Sequence, residues 1–212
     1  DGMGRWYWEP VQNEKTPFNP QSPYAISKLY AHFATINYRN SYNLFACSGI
    51  LFNHESPLRG SQFVTKKIVE GLVDVVLKRK KYLEVGNLYA KRDWGYAGDY
   101  VTAMHKMLNY KYPEDFVIAT GKCHTVKDFI NQVCKNLKLK IKWVGSGLNE
   151  KCINLENKQI IIKISKKFFR PSEVNFLLGD YSNAKRKLKW KPKSDFKDLV
   201  KMMVDDELSY KT

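Results

Sequence analysis

Two rhythms of apolar residues alternate along the chain, short continuous runs and longer stretches spaced by three and four, and they predict strands and helices in turn. Ser22 suits an N-cap and Pro23 a first helical position, so a helix is expected from there to about Ser41. The run 43–52 is largely apolar and reads as a strand covered on both faces, as in a buried parallel sheet. A polar loop over 53–60 leads to a second helix, capped near Ser61, with Phe63, Val64, Ile68, Leu72, Val75 and Val76 at helical spacing.

The same alternation continues to the end. It predicts a strand at 82–85, a turn at 92–95, a helix over 97–110, a strand at 116–119, a helix over 125–137 and a strand at 140–144. A polar connection is expected over 145–157, then a last strand over 159–164. Two helices close the chain, one capped near Asp180 and broken before Pro192, the other capped at Ser194 or Asp195. Such a pattern predicts an α/β fold with helices on a mostly parallel sheet.

Composition narrows the classes. In 212 residues, 36 Lys and Arg against 21 Asp and Glu leave a net charge of +15. The lysines spread from Lys15 to Lys211, and the densest cluster, Lys78-Arg79-Lys80-Lys81, follows a predicted helix whose dipole it complements. No zinc-finger, KH or RNP pattern accompanies the charge, so a solvated exterior and a pocket for an anionic substrate are expected, not a nucleic-acid partner. No run approaches the roughly 18 to 20 apolar residues that span a bilayer, and no signal pattern opens the chain, so a cytoplasmic location without membrane attachment is expected. Cys47, Cys123, Cys134 and Cys152 form no paired motif and read as reduced thiols, without a metal site.

Candidate chemistry begins at Tyr24 and Lys28, which share one face of the first predicted helix. A cation beside a phenol favours the phenolate, so such a pair could take a proton from a hydroxyl; the spacing alone equally fits an ordinary surface pair. The flanking words decide. Thr16-Pro17-Phe18-Asn19-Pro20-Gln21-Ser22-Pro23-Tyr24-Ala25-Ile26-Ser27-Lys28 resembles the catalytic segment of extended short-chain dehydrogenases/reductases that act on nucleotide sugars. Gly49-Ile50-Leu51-Phe52-Asn53-His54-Glu55-Ser56-Pro57-Leu58-Arg59-Gly60, followed by Phe63-Val64-Thr65-Lys66-Lys67-Ile68, is similar to the hallmark of GDP-mannose 4,6-dehydratases. Lys91-Arg92-Asp93-Trp94-Gly95, Phe169-Arg170-Pro171-Ser172-Glu173-Val174 and Leu177-Leu178-Gly179-Asp180 follow in that family's order.

The resemblance implies a partial Rossmann-like parallel sheet with helices plus a smaller C-terminal α/β substrate-binding domain. Residues 1–60 would be the remainder of the cofactor-binding domain and 61–212 mainly the substrate-binding one, with some segments returning to the sheet. It implies NADP as cofactor and GDP-mannose as substrate. Tyr24 would be the base at the hexose 4-hydroxyl, Lys28 would hold the nicotinamide ribose, and His54 and Arg59 would also contact NADP. Asn53, Lys67, Arg92, Arg170 and Glu173 would contact GDP-mannose, three of them cations suited to a diphosphate. Assembly as a homodimer or tetramer is implied as well.

Two parts of that pattern are missing. Only 23 residues precede Tyr24, with no glycine-rich strand-turn-helix for a pyrophosphate, and no Ser/Thr and Glu motif upstream of the tyrosine. A truncated chain, inactive by itself, is therefore expected. Another nucleotide-sugar epimerase or reductase, or a basic binding protein derived from the same fold, are the competing readings.

Overall fold

A computed structural model describes residues 11–169, 174 and 176–212. In chain order its elements are α1 (Pro23–Tyr42), β1 (Gly49–Leu51), β2 (Asn53–Glu55), α2 (Val64–Val76), β3 (Leu83–Val85), β4 (Lys91–Arg92), β5 (Trp94–Tyr96), α3 (Ala97–Leu108), β6 (Phe116–Ile118), β7 (His124–Thr125), α4 (Val126–Asn136), β8 (Ile141–Val144), β9 (Lys151–Asn154), β10 (Ile160–Ile164), α5 (Ser182–Leu188) and α6 (Phe196–Lys211). Two compact units interleave along the sequence. The first takes the described residues up to His54, Arg92–Cys123 and those from Val174 to Ser194; the second takes the remainder.

In the first unit β1 and β6 form a parallel pair in the register Gly49 to Phe116, Ile50 to Val117 and Leu51 to Ile118. Side chains alternate across β6. Phe116 and Ile118 face Tyr100, Ala103 and Met107 of α3, Ala184 and Leu188 of α5, and Trp190. Val117 and Ala119 pack with Phe52 on the opposite face. The expected buried parallel strand is present at β6, where every residue is buried.

The expected strand over 43–52 shrinks to Gly49–Leu51, with Leu44 and Phe45 exposed. Helix α1 ends on Asn43 in the left-handed region, and the polar groups that follow are satisfied by side chains instead of a ladder. Arg39 donates to Ala46 O at 2.9 Å and to both Asp115 oxygens, while Asp115 Oδ1 accepts from Ser48 N at 2.7 Å.

The second unit is built on a four-stranded sheet in the order β3-β10-β9-β8. β10 runs parallel to β3 and antiparallel to β9, and β8 is antiparallel to β9, so this sheet is mixed instead of mostly parallel. Strand β9 lies inside the expected polar connection 145–157. Lys-Cys-Ile-Asn offers little apolar signal, yet Cys152 and Asn154 are buried because the strand is paired on both edges. Helix α2 packs against β3, α4 and α6 through Ile68, Val69, Leu72 and Val73, and α6 contributes Leu199, Val200, Met203 and Val204.

Caps explain three of the six α-helix starts among the described residues. Ser22 Oγ accepts from Ala25 N with Pro23 in the first turn, and Thr125 with Asp128 and Asp195 with Asp198 form capping boxes. The expected cap at Ser61 fails, because that hydroxyl donates to Glu70 at 2.7 Å and α2 starts at Val64 behind an uncapped Phe63. Likewise Asp180 serves the turn before α5, accepting from Ser182 N, and Tyr181 takes the N-cap position.

Candidate active site

Helix α1 presents Tyr24 and Lys28 from its first two turns. The Lys28 Nζ lies 5.4 Å from the centroid of the Tyr24 ring, and that ring is 70% exposed. Ser27 Oγ donates to Tyr24 O at 2.7 Å, which ties the turn between them. The arrangement puts an accessible phenol and a lysine ammonium side by side on one helical face.

Asn53 and His54 follow β1 directly, after the buried Phe52. His54 Nδ1 is 3.0 Å from Phe52 O; a carbonyl only accepts, so Nδ1 carries the proton and a neutral ring keeps Nε2 as an acceptor. The ring lies 5.4 Å from that of Tyr100, which fixes its plane. Arg92 closes β4, and its neighbour Asp93 is wholly buried.

Among the described residues of the first unit, Asp93 is a heavily used carboxylate. Oδ1 accepts from Thr120 N at 2.8 Å and Thr120 Oγ1 at 2.6 Å, and Oδ2 from Gly121 N at 3.0 Å and Gly179 N at 3.2 Å. Burial pushes its carboxyl above the ordinary value, opposed by these four donors. Gly121 sits at φ +72°, which glycine adopts freely, and a Cβ at Gly179 would run into Ala119 and Phe52. Asp93 therefore fixes the segments after β4 and β6 and the one at 178–180, where Gln12 also bonds Leu178 O and Asp180 N. Sequence reading placed Asp93 only in a motif beside Arg92; an acid followed by Trp-Gly gives no local sign that its partners lie far along the chain.

In the second unit Arg59 Nε lies 3.1 Å from Glu55 Oε2, a close ion pair without hydrogen-bond alignment, and its guanidinium covers the Phe63 ring at 3.4 Å. Glu55 is buried and accepts from Thr65 Oγ1 at 2.7 Å. Desolvation pushes Glu55 up, with Thr65 and then Arg59 pulling it back. Lys67 Nζ sits 3.1 Å from the centroid of the Phe168 ring. Burial holds Lys67 below its ordinary value, Glu84 raises it, and Lys167 and Lys80 lower it further.

Of the expected site residues, Tyr24, Lys28, Asn53, His54 and Arg92 thus belong to the first unit, and Arg59 and Lys67 to the second. Arg170 and Glu173 lie outside the described residues. The contacts directly join Tyr24 with Lys28, whereas Arg59 and Lys67 are each held by an aromatic ring. Missed by sequence reading, besides Asp93, was the Glu55-Thr65 bond, whose ten-residue separation spans a loop and a helix start. Cys134 and Cys152 are buried free thiols; burial raises both, Cys152 to about 12, which leaves them unreactive at neutral pH.

The fold defines a Rossmann-like α/β chain. Solved structures agree on the fold: RMD from Pseudomonas aeruginosa complexed with NADPH matches with a TM-score of 0.79 at 17% identity, over 98% of this chain and 63% of that one. The dTDP-glucose 4,6-dehydratase of Bacillus anthracis matches with a TM-score of 0.73 at 20% identity, over 92% and 55%.

The model of the GDP-mannose 4,6 dehydratase family matches residues 4–203, and the chain belongs to that family. GDP-mannose 4,6 dehydratases of Drosophila melanogaster and Homo sapiens are each 48% identical to it, over 94% and 91% of this chain. That of Vibrio cholerae is 45% identical over 93%. The chain spans about half the length of the curated relatives it matches, 51% and 52% for the first two. Among the described residues no helix is long and apolar enough to cross a membrane.

Proposed function

We propose that this chain carries the proton-transfer pair and the sugar-nucleotide contacts of a GDP-mannose 4,6-dehydratase, a lyase that forms GDP-4-dehydro-6-deoxy-mannose. The observation that carries the reading is the accessible Tyr24 with Lys28 over its ring, set in a chain of this family.

In this reading Tyr24 takes the proton of the hexose 4-hydroxyl as C4 is oxidised, and the Lys28 cation stabilises the phenolate during that step. The resulting 4-ketone acidifies the C5 proton; loss of that proton and of the C6 hydroxyl as water gives a 4-keto-5,6-ene, which becomes the 6-deoxy sugar when C6 gains a hydride and C5 regains a proton. NADP, held by Lys28, His54 and Arg59, would supply the hydride acceptor for C4 and the hydride donor for C6. Lys28 and Arg59 fit it as cations, and His54 Nε2 as an acceptor for a hydroxyl. Arg59 reaches a phosphate already braced by Glu55 and Phe63, which supports orientation over free search. Lys67 and Arg92, with Arg170, would neutralise the diphosphate of the substrate, Asn53 would bond its polar groups and Glu173 the guanine edge. No carboxylate of this chain is assigned the C5 deprotonation.

The working place is the cytoplasm and the assembled form a homodimer or tetramer. Support for association comes from α1, which buries none of its 20 residues and leaves Ile26, Tyr30, Phe33 and Tyr38 exposed. The test joins this chain to the N-terminal half of the Drosophila relative and measures 4-keto sugar formed from GDP-mannose. Product is expected, falling by at least about 100-fold in Tyr24→Phe. A folded, NADP-binding chimera that forms none, or a Tyr24→Phe chimera as active as its parent, sinks the reading.

A further inference from the structure

The turn from α4 into β8 frames a groove of about 550 Å3, well away in sequence from every residue given a catalytic role above. Lys135, Lys138 and Lys140 line it together with Asn131, Ile141 and Trp143, and no carboxylate is among the lining residues. Lys140 meets Glu156 only at 3.9 Å between two largely exposed side chains, a pairing that solvent screens.

The aromatic wall is fixed. Trp143 Nε1 donates to Asn131 Oδ1 at 2.8 Å, and Lys127 Nζ lies 4.8 Å from the indole. Lys127 is itself held by Glu150 at 2.6 Å, and the hydroxyl of Tyr89 donates to the same carboxylate at 2.8 Å. That places a second ring, 58% exposed, 5.5 Å from the same ammonium. Two aromatic faces thus stand beside one paired lysine, next to three lysines without a carboxylate in their groove.

A helix C-terminus accounts for a cation at Lys135, and edge-strand protection for one at Lys140. Neither accounts for an indole pinned by a hydrogen bond into the same groove. Cations along a track with aromatic platforms beside it are what single-stranded nucleic acid requires: phosphates for the ammoniums and π-faces for the bases. We propose that this groove binds single-stranded nucleic acid, with backbone phosphates on Lys135, Lys138 and Lys140 and bases against Trp143 and Tyr89. The assignment departs from the expectation drawn from the even spread of lysines, because Lys135, Lys138 and Lys140, close together in sequence at the turn from α4 into β8, share one groove with an indole.

The test is fluorescence anisotropy of a labelled oligothymidylate with the 212-residue chain at several salt concentrations. Three phosphate contacts predict that Lys135→Glu/Lys138→Glu/Lys140→Glu weakens binding at least about 10-fold and lowers the log-log salt slope by roughly 2. Trp143→Leu is expected to weaken it about 10-fold at unchanged slope. A control with the same change of charge, Lys185→Glu/Lys191→Glu/Lys193→Glu, is expected to stay within about threefold, and circular dichroism checks that each variant is folded. Equal losses in the control triple, no binding by the parent chain, or equal competition by thymidine monophosphate or polyglutamate at matched charge would each overturn the proposal.

Discussion

Replacing Asp93 by Asn tests whether one buried carboxylate organises the first unit. Both oxygens are in use, Oδ1 by two groups of Thr120 and Oδ2 by the N–H groups of Gly121 and Gly179. An amide has one acceptor oxygen, so Asn must choose. With its oxygen towards the two glycines, its NH2 can donate to a rotated Thr120 hydroxyl but leaves Thr120 N–H facing another donor. In the opposite orientation two backbone N–H groups are orphaned, so the first is preferred. One buried unsatisfied N–H costs about 1–3 kcal/mol, and the relief of burying an amide in place of a charge offsets part of it. Asp93→Ala removes every acceptor, orphans three backbone N–H groups and should cost at least about 3 kcal/mol. Urea unfolding, followed by circular dichroism and by tryptophan fluorescence, provides the comparison, since Trp94 and Trp190 belong to the same unit as Asp93. The expected order of stability is Asp, then Asn, then Ala. Variants that both lie within about 0.5 kcal/mol of the parent, or an Asn variant as damaged as Ala, would refute the assignment.

Other outcomes follow from the same geometry. Lys66 pairs with Glu207 at 2.7 Å and Lys211 bridges Glu207 and Asp74 at 2.9 and 2.7 Å, so Glu207→Gln leaves a largely buried Lys66 uncompensated and should cost about 3 kcal/mol in urea unfolding. Burial opposes ionisation of Asp74, Asp115 and Glu207, but their lysine and arginine partners win and hold all three below ordinary values. The unfolded chain then binds more protons, so this stabilisation is complete above the unfolded values near about 4 and is lost as pH falls through the depressed ones. A urea midpoint that does not fall between pH 5 and pH 3 contradicts it. Met203→Ala, at a site with no exposure in α6, should cost about 2–5 kcal/mol by calorimetry, against about 1 kcal/mol for Ser22→Ala at the cap of α1.

What was legible in the sequence depended on how local its cause is. Capping chemistry is contained within four residues, so Ser22-Pro23 marks the start of α1 correctly and Asp195 is one of the two caps expected for α6, while the boxes of Thr125 with Asp128 and Asp195 with Asp198 are equally local. Ser61 misleads because a hydroxyl that looks like a cap finds Glu70 nine residues on, a competition decided by the fold. Strands suffer more. The apolar run 43–52 reads as one buried strand, but Arg39 and Asp115, 76 residues apart, take the polar groups that a ladder would use. Conversely, β9 has almost no apolar signal and is buried by neighbours on both edges.

The site divides along the same line. Tyr24 and Lys28 are visible because one helical turn places them together, and the words around them identify the family. Asp93 and Glu55 are invisible because each is defined by partners that folding brings from elsewhere in the chain, whereas the groove beside Trp143 comes from one local stretch, 131–143, whose shared face the apolar pattern does not show. Arg59 shows how the two combine: its place in the family word suggests an anion contact, while Glu55 and Phe63 determine how rigidly that cation is presented. A guanidinium already held in one orientation loses less freedom on meeting a phosphate, so in the proposed reading Glu55 would matter to binding without touching the ligand. Glu55→Gln should therefore weaken NADP binding to the chimera described above several-fold, with a larger loss for Arg59→Ala. Unchanged affinity in Glu55→Gln alongside lost affinity in Arg59→Ala would show that the guanidinium acts without its brace.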